Sequence, residues 1–213
     1  MPRTKERKKH IHEPSTHEVF LCLSSMLAWS QILLEKGVVK EYQSFLKGLI
    51  ETRYFEDREE KVTIKQIAAS FKHQTTKVTK WLHEIYNDIL ELNNDKEELF
   101  TNNKLPITCY FSYFDSSGSV TLGMDAVPRV YEEFNMYFMK AKVGCERFWV
   151  NRVEHEVHDT GAKIFLWLEG RILNHYREMA VKEALFKGWI GFMDQFLLTN
   201  SEMDDIIIKH HRR

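Results

Sequence analysis

Cysteine is scarce in this chain, and its spacing excludes two architectures. Cys22, Cys109 and Cys145 are odd in number, far apart and never form a Cys-x-x-Cys pair. That supplies neither a disulfide framework nor a zinc knuckle, and it fits three structural thiols in a reducing compartment. Glycine is sparse too, at nine in 213 residues. No Gly-x-Gly-x-x-Gly and no Gly-x-x-x-x-Gly-Lys run occurs, so phosphate-cradling loops have little material. Neither sign of charge is in excess: 30 Lys and Arg face 31 Asp and Glu, for a net charge of −1. Whole-chain charge therefore points to no polyanion, and any such case must be local.

A long apolar run is also missing. The basic start "MPRTKERKK" and the uncharged stretch Val19–Leu34 together imitate a signal peptide or an anchor. The stretch is shorter than the roughly 20 residues a spanning helix needs. Ser24, Ser25, Ser30 and Gln31 interrupt it, Glu13 and Glu18 precede it, and no small-x-small cleavage site follows. The expectation is a buried helix, no membrane segment and a cytoplasmic protein.

What is present is ordinary soluble composition, 43% hydrophobic and 29% charged, in a chain long enough for one or two cored domains. Residues 1–14 read as a disordered basic arm, with Arg3, Lys5, Arg7, Lys8 and Lys9. Ser15-Thr16-His17-Glu18 is a capping box, and Val19, Leu23, Met26, Leu27 and Leu33 continue at helical spacing to a stop at Gly37. A second helix is predicted near 38–54, with Tyr42, Phe45, Leu46, Leu49 and Ile50 inward. "EDREE" at 56–60 reads as a solvated connection.

Residues 61–83 carry Lys61, Lys65, Lys72, Lys77 and Lys80 and no carboxylate. A second capping box, Thr63-Ile64-Lys65-Gln66, opens a short helix with Ile67, Ala68 and Phe71 on one side. Thr75 is placed to cap another helix, on which Val78, Trp81, Leu82, Ile85, Ile89 and Leu92 form one stripe. Two helices thus meet across a turn near 72–75, and the small Ala68 allows them to approach closely. Acidic residues return only afterwards, at Glu84, Asp88, Glu91, Asp95, Glu97 and Glu98.

Over about 25 residues this pattern resembles the helix-turn-helix family. The aliphatic-alanine pair Ile67-Ala68, Phe71 three positions on, Val78 ten on and Trp81 three beyond that all stand at the family's spacing. Two positions depart from it: Lys72 stands where glycine is usual, and His73 where an aliphatic residue normally anchors the turn. The resemblance implies a second helix entering the major groove. Carried over by position, Gln74, Thr75, Thr76, Lys77, Thr79 and Lys80 would meet base edges and backbone, with Lys65 and Lys72 beside phosphates. A winged variant is implied if a later hairpin serves as the wing, and a scaffold used only for protein contact is the alternative.

Residues 93–106, polar and ending in proline, read as a linker. Beyond Pro106 the period shifts from 3.6 toward 2. "ITCYFSY", "VTLGM", "NMYFMKAK", "FWVNRVEHEV" and "KIFLWLEGR" read as strands, with turns at "FDSSGS" and "DTG". Helical spacing returns from about Tyr176, and an acidic then basic tail closes the chain. The expected class is α+β: a helical domain at 15–95 containing the helix-turn-helix, then a small antiparallel sheet or partial barrel with a covering helix at 106–213. That second part would dimerise or sense a ligand. Apolar residues on both faces of "KIFLWL" call for cover on both sides, from a helix or a second subunit.

Catalytic patterns are weak. Glu154, His155, Glu156, His158 and Asp159 are metal-ligand types, but on a strand they split between two faces. "DSSGS" lacks the nucleophile-elbow spacing. Phe148, Trp149, Phe165, Trp167 and Tyr176 could stack nucleobases but at strand spacing are better placed as core. The sequence thus predicts no catalytic residue, no metal and no cofactor. The expected function is that of a bacterial transcriptional regulator binding double-stranded DNA, with a homodimer as an open expectation.

Overall fold

The computed structural model describes residues 11–52, 54, 62–159, 161–171, 173–198 and 200–211. Most of the basic arm, the 56–60 connection and Lys61 lie outside them. The chain divides into two compact units, Met1–Arg171 and Ile172–Arg213.

In the first unit Ser15 caps α1 (Thr16–Ser25) by accepting from the Glu18 amide. The single helix predicted here is in fact two: α1 ends at Met26, and α2 (Leu27–Lys36) leaves at 89°. The cause is local. Met26 leaves the helical region at φ −133° and ψ 58°, and in the turn before it Ser24 and Ser25 turn their hydroxyls back onto the carbonyls of Leu21 and Cys22, both at 2.7 Å, an arrangement that favours bending. Among the described residues no single helix is long and apolar enough to cross a membrane. Next come α3 (Gln43–Glu51), α4 (Ile64–Ser70), α5 (Thr75–Asp95) and α6 (Glu98–Thr101). Lys40 Nζ at 2.7 Å and Tyr42 Oη at 2.5 Å both donate to the Asp88 carboxylate, clamping the approach to α3 onto α5. Burial, then Asp88, raises the Tyr42 phenol far above its usual pKa.

Among the described residues the strands are β1 (Leu105–Tyr113), β2 (Ser116–Met124), β3 (Glu133–Asn135), β4 (Arg147–His158) and β5 (Gly161–Glu169), in the order β2-β1-β5-β4-β3. The α+β class is as expected. One pair, β1–β5, runs parallel within the otherwise antiparallel sheet. The strand predicted at "NMYFMKAK" is instead a 3₁₀ turn, Tyr137–Met139, running into α7 (Lys140–Val143). Phe138 and Met139 are adjacent and both buried; a strand would send them to opposite faces, whereas a helical turn seats both.

The helical and sheet segments are not separate domains; they share one core. Trp29 meets Phe100 and Phe138 edge-on, each at 5.0 Å. Tyr86 Oη donates to the Phe138 carbonyl at 2.9 Å. The expected linker at 93–106 is therefore structured. Asn93 is wholly buried: its amide donates to the Thr121 carbonyl at 2.9 Å, and its oxygen accepts from the Thr121 N–H at 2.7 Å. It thereby pairs with β2 much as another strand would. The thiols of Cys22 and Cys109, buried in the same core, are pushed up to about 12.

Ile107, Cys109 and Phe111 of β1, with Ile164, Leu166 and Leu168 of β5, line the buried face of the sheet. Trp167, on the other face of β5, is 40% exposed. Tyr110 stacks on Trp167 at 4.7 Å, and the Arg152 guanidinium lies 4.8 Å over the same indole from the neighbouring strand.

The second unit holds α8 (His175–Phe186), α9 (Asp194–Leu197) and α10 (Asn200–His211). Gly188, at φ +69°, lets the chain turn after α8. Ala184, Ile190, Met203 and Ile207 form its buried centre. Arg177 Nε reaches Asp204 at 2.8 Å, tying α8 to α10. α10 occupies what reads in sequence as a tail.

Candidate nucleic-acid interface

The capping box at Thr63 is formed in both directions: Thr63 accepts from the Gln66 amide, and Gln66 accepts from the Thr63 N–H. α4 runs only to Ser70 because the chain then turns through a left-handed residue, Lys72, at φ +54°. The Lys72 N–H bonds to the Ala69 carbonyl at 3.1 Å and the His73 N–H to the Ala68 carbonyl at 2.9 Å. These paired bonds define a Schellman ending. Lys72 thus holds the conformation for which glycine is the usual residue. Substituting Lys72→Gly should raise stability by about 0.5–1 kcal/mol, since a β-carbon is disfavoured there. It should also lower duplex affinity a few-fold. Denaturant melts and a binding titration read the two effects separately.

His73 does not loosen the turn. Its ring stands edge-on to Trp81 at 4.9 Å and 6.4 Å from Phe45. Packing on an aromatic wall replaces the aliphatic anchor. Ile67, Ala68, Val78 and Trp81 are all buried, and Phe71 meets Phe45 at 5.2 Å. Gly48 of α3 makes room for it, because a Cβ there would lie 2.5 Å from the Phe71 ring. α3 is therefore the third wall of the motif.

Opposite the buried stripe of α5, Thr76, Thr79 and Lys80 fall on one side of the helix. Gln74, Thr75, Thr76 and Lys80 are exposed, as are Lys65 and Lys72, and Thr79 is half-buried. Gln74, not Thr75, is the N-cap residue, and it makes no side-chain capping bond. The Lys80 side chain is 71% exposed and pairs loosely with Glu84 at 3.5 Å. Lys77 differs. Its ammonium is bound by Glu41 and lies 4.7 Å over the Trp81 ring, leaving the side chain 41% exposed. It stands at the margin between α5 and the approach to α3 rather than beside Thr76.

Glu41 and His83 are missed in the sequence. Glu41 is distant in the chain, and only folding brings its carboxylate to Lys77. That contact, a hydrogen bond above all, holds the Glu41 carboxyl below its ordinary pKa. A depressed carboxyl stays charged until pH falls below the carboxylate range, so its hold on Lys77 is constant around neutrality. Glu41→Gln should therefore tighten duplex binding about two- to fivefold, equally at pH 6 and pH 8, as an exposed ion pair is released. Fluorescence anisotropy at fixed salt checks it. His83 and Asn87 continue the Thr76–Lys80 stripe by helical spacing. They run into a polar cavity of about 440 Å³ that is also lined by His12, Ser116, Ser117 and Lys142. The repeat of three and four from Thr76 is the signal that could have found them.

The hairpin β1–β2 is no free flap beside this surface. β1 is paired on both edges, and β2 is held by Asn93 near the far end of α5. The aromatic face of the sheet has its best ring already used, with Trp167 between Tyr110 and Arg152, while Phe148 and Trp149 are buried. Among the described residues no three His, Cys, Asp or Glu side chains converge to hold a metal ion. Compared with protein-family models, curated proteins and solved structures, the chain matches no family, no curated protein and no solved structure.

Proposed function

We propose that this protein binds double-stranded DNA as a cytoplasmic transcriptional regulator of bacterial type, laying the start of α5 in the major groove. The supporting observation is the surface itself. A Schellman turn and a buried Val78–Trp81 stripe present Gln74, Thr75, Thr76 and Lys80 together, with Lys65 and Lys72 exposed alongside. Amide and hydroxyl groups suit base edges and backbone, and ammonium groups suit phosphates. The role is binding rather than catalysis.

The test is a mobility-shift titration of a mixed-sequence duplex against salt, followed by selection of bound duplexes from a random pool. If Lys65, Lys72, Lys77 and Lys80 each neutralise a phosphate, the logarithm of affinity falls with that of salt at a slope of about −3.6. Absence of duplex binding at low salt would refute the proposal. One observation favours the alternative, a helix-turn-helix scaffold for protein contact: Lys77 and Lys80 already have carboxylate neighbours. That alternative expects a protein partner and no retained duplex.

A further inference from the structure

The polar cavity beside α5 is walled by side chains that the proposed duplex contacts do not use. Its volume, about 440 Å³, is that of a small-molecule site, and every residue lining it belongs to the first unit. Folding assembles it from four places: the segment before α1, the middle of α5, the β1–β2 turn and α7. His12 is fixed there twice. Its backbone N–H donates to the Ser116 hydroxyl at 2.8 Å, and its ring meets the Glu18 carboxylate at 3.2 Å. Two glycines seat the basic walls. A Cβ on Gly144, at φ +83°, would lie 2.9 Å from the His12 ring, and one on Gly118 would lie 2.8 Å from the Lys142 stem. The Lys142 stem therefore lies directly on β2. Lys140, two positions earlier, is taken by Glu146 at 2.7 Å. By contrast, no hydrogen bond or ion pair among the described residues engages the side chains of Lys142, His83, Asn87 or Ser117.

We propose that this cavity binds a small hydroxylated organic phosphate, with Lys142, His83, Asn87 and Ser117 donating to the phosphate oxygens and Asp115 accepting from the ligand's hydroxyls. Ammonium, imidazole, amide and hydroxyl groups are all donors, and Lys142 can only donate. Four such groups at one cavity call for an anion with several acceptor oxygens. A phosphate monoester presents three and carries nearly two charges at neutral pH, where a carboxylate presents two and carries one. Asp115 lines the same cavity and decides the rest of the ligand. Its charge opposes a bare anion, while its oxygens accept from hydroxyl groups. A molecule carrying both a phosphate and hydroxyls satisfies the two sets together.

The experiment is equilibrium dialysis of the full chain, without DNA, against labelled glucose 6-phosphate, glucose and inorganic phosphate, so that it stands apart from the DNA proposal. Glucose 6-phosphate should be retained with a Kd below about 1 mM, and the other two at least about tenfold more weakly. Lys142→Ala and Asn87→Ala should each weaken it about tenfold or more, as a charge-assisted bond is lost. Asp115→Asn should narrow the gap between glucose 6-phosphate and inorganic phosphate. Lys104→Ala, whose ammonium pairs with Asp125 away from the cavity, should change nothing. Circular dichroism confirms that each variant is folded. No retention of glucose 6-phosphate at about 10 mM would overturn the inference. So would retention that survives both Lys142→Ala and Asn87→Ala, or inorganic phosphate held as tightly as the sugar phosphate. If the sugar phosphate is ignored and Lys142→Ala instead weakens duplex binding, the cavity takes a backbone phosphate, and the inference is overturned while the DNA proposal stands.

Discussion

Replacing Lys77 and Lys80 together by alanine should weaken duplex binding about ten- to a hundredfold at moderate salt and flatten the salt slope by about 1.8. The slope is the sharper readout, because it counts phosphates neutralised whatever sequence is bound. The two lysines should not contribute equally. Lys80 is free enough to reach a phosphate directly, its contact with Glu84 being long and exposed. Lys77 must first leave Glu41 and the Trp81 ring. Lys80→Ala alone should therefore cost more than Lys77→Ala alone. In a Glu41→Gln background the Lys77 loss should grow, since the native competitor is gone. All these side chains are at the surface, so thermal midpoints should move little. An unchanged salt slope in the double variant would mean that this face of α5 meets no polyanion.

Trp81→Ala should be the most damaging single change to the fold of the motif, costing about 3–5 kcal/mol. For a unit of this size that lowers the melting midpoint by roughly 10 °C. The indole is the common wall of three contacts: Phe45 of α3 at 5.4 Å, His73 of the turn at 4.9 Å, and the Lys77 ammonium over its face. Truncation empties a cavity and frees the turn at once. Duplex affinity should fall even at temperatures where the variant stays folded, because the turn no longer fixes α5 relative to α4. Trp81→Phe, which keeps an aromatic wall, should recover most of the stability. A Trp81→Ala variant that melts within about 2 °C of wild type would show that the turn is held by something other than this packing.

The two helices and the turn were legible because their causes are local. Thr63 and Gln66 are neighbours, the Val78–Leu92 stripe is one helix face, and the turn lies within a few residues of Ala68. The break at Met26 was hidden by an unbroken apolar period. Only the serine hydroxyls bending back onto the chain reveal it, and serine is common in helices that stay straight. The strand predicted at "NMYFMKAK" failed because a short apolar run has no period of its own, and its core pocket, near Trp29 and Tyr86, is assembled from distant segments. The linker reading failed at Asn93, whose polarity looked solvated. A buried amide is tolerable only because Thr121, 28 residues away, satisfies both ends of it.

The sequence by itself determined the two helices that meet across the turn at 72–75, the absence of carboxylates across residues 61–83 and the α+β class. Each rests on periodicity, capping and turn chemistry, which act over a few residues. Only the tertiary structure decided that helices and sheet share one core, that Glu41 faces Lys77, and that Tyr176 and Phe186 of α8 stay exposed. Those depend on which distant segments meet. A charge or an apolar face acquires its effective role from what lies across from it, and chain order does not state that neighbour.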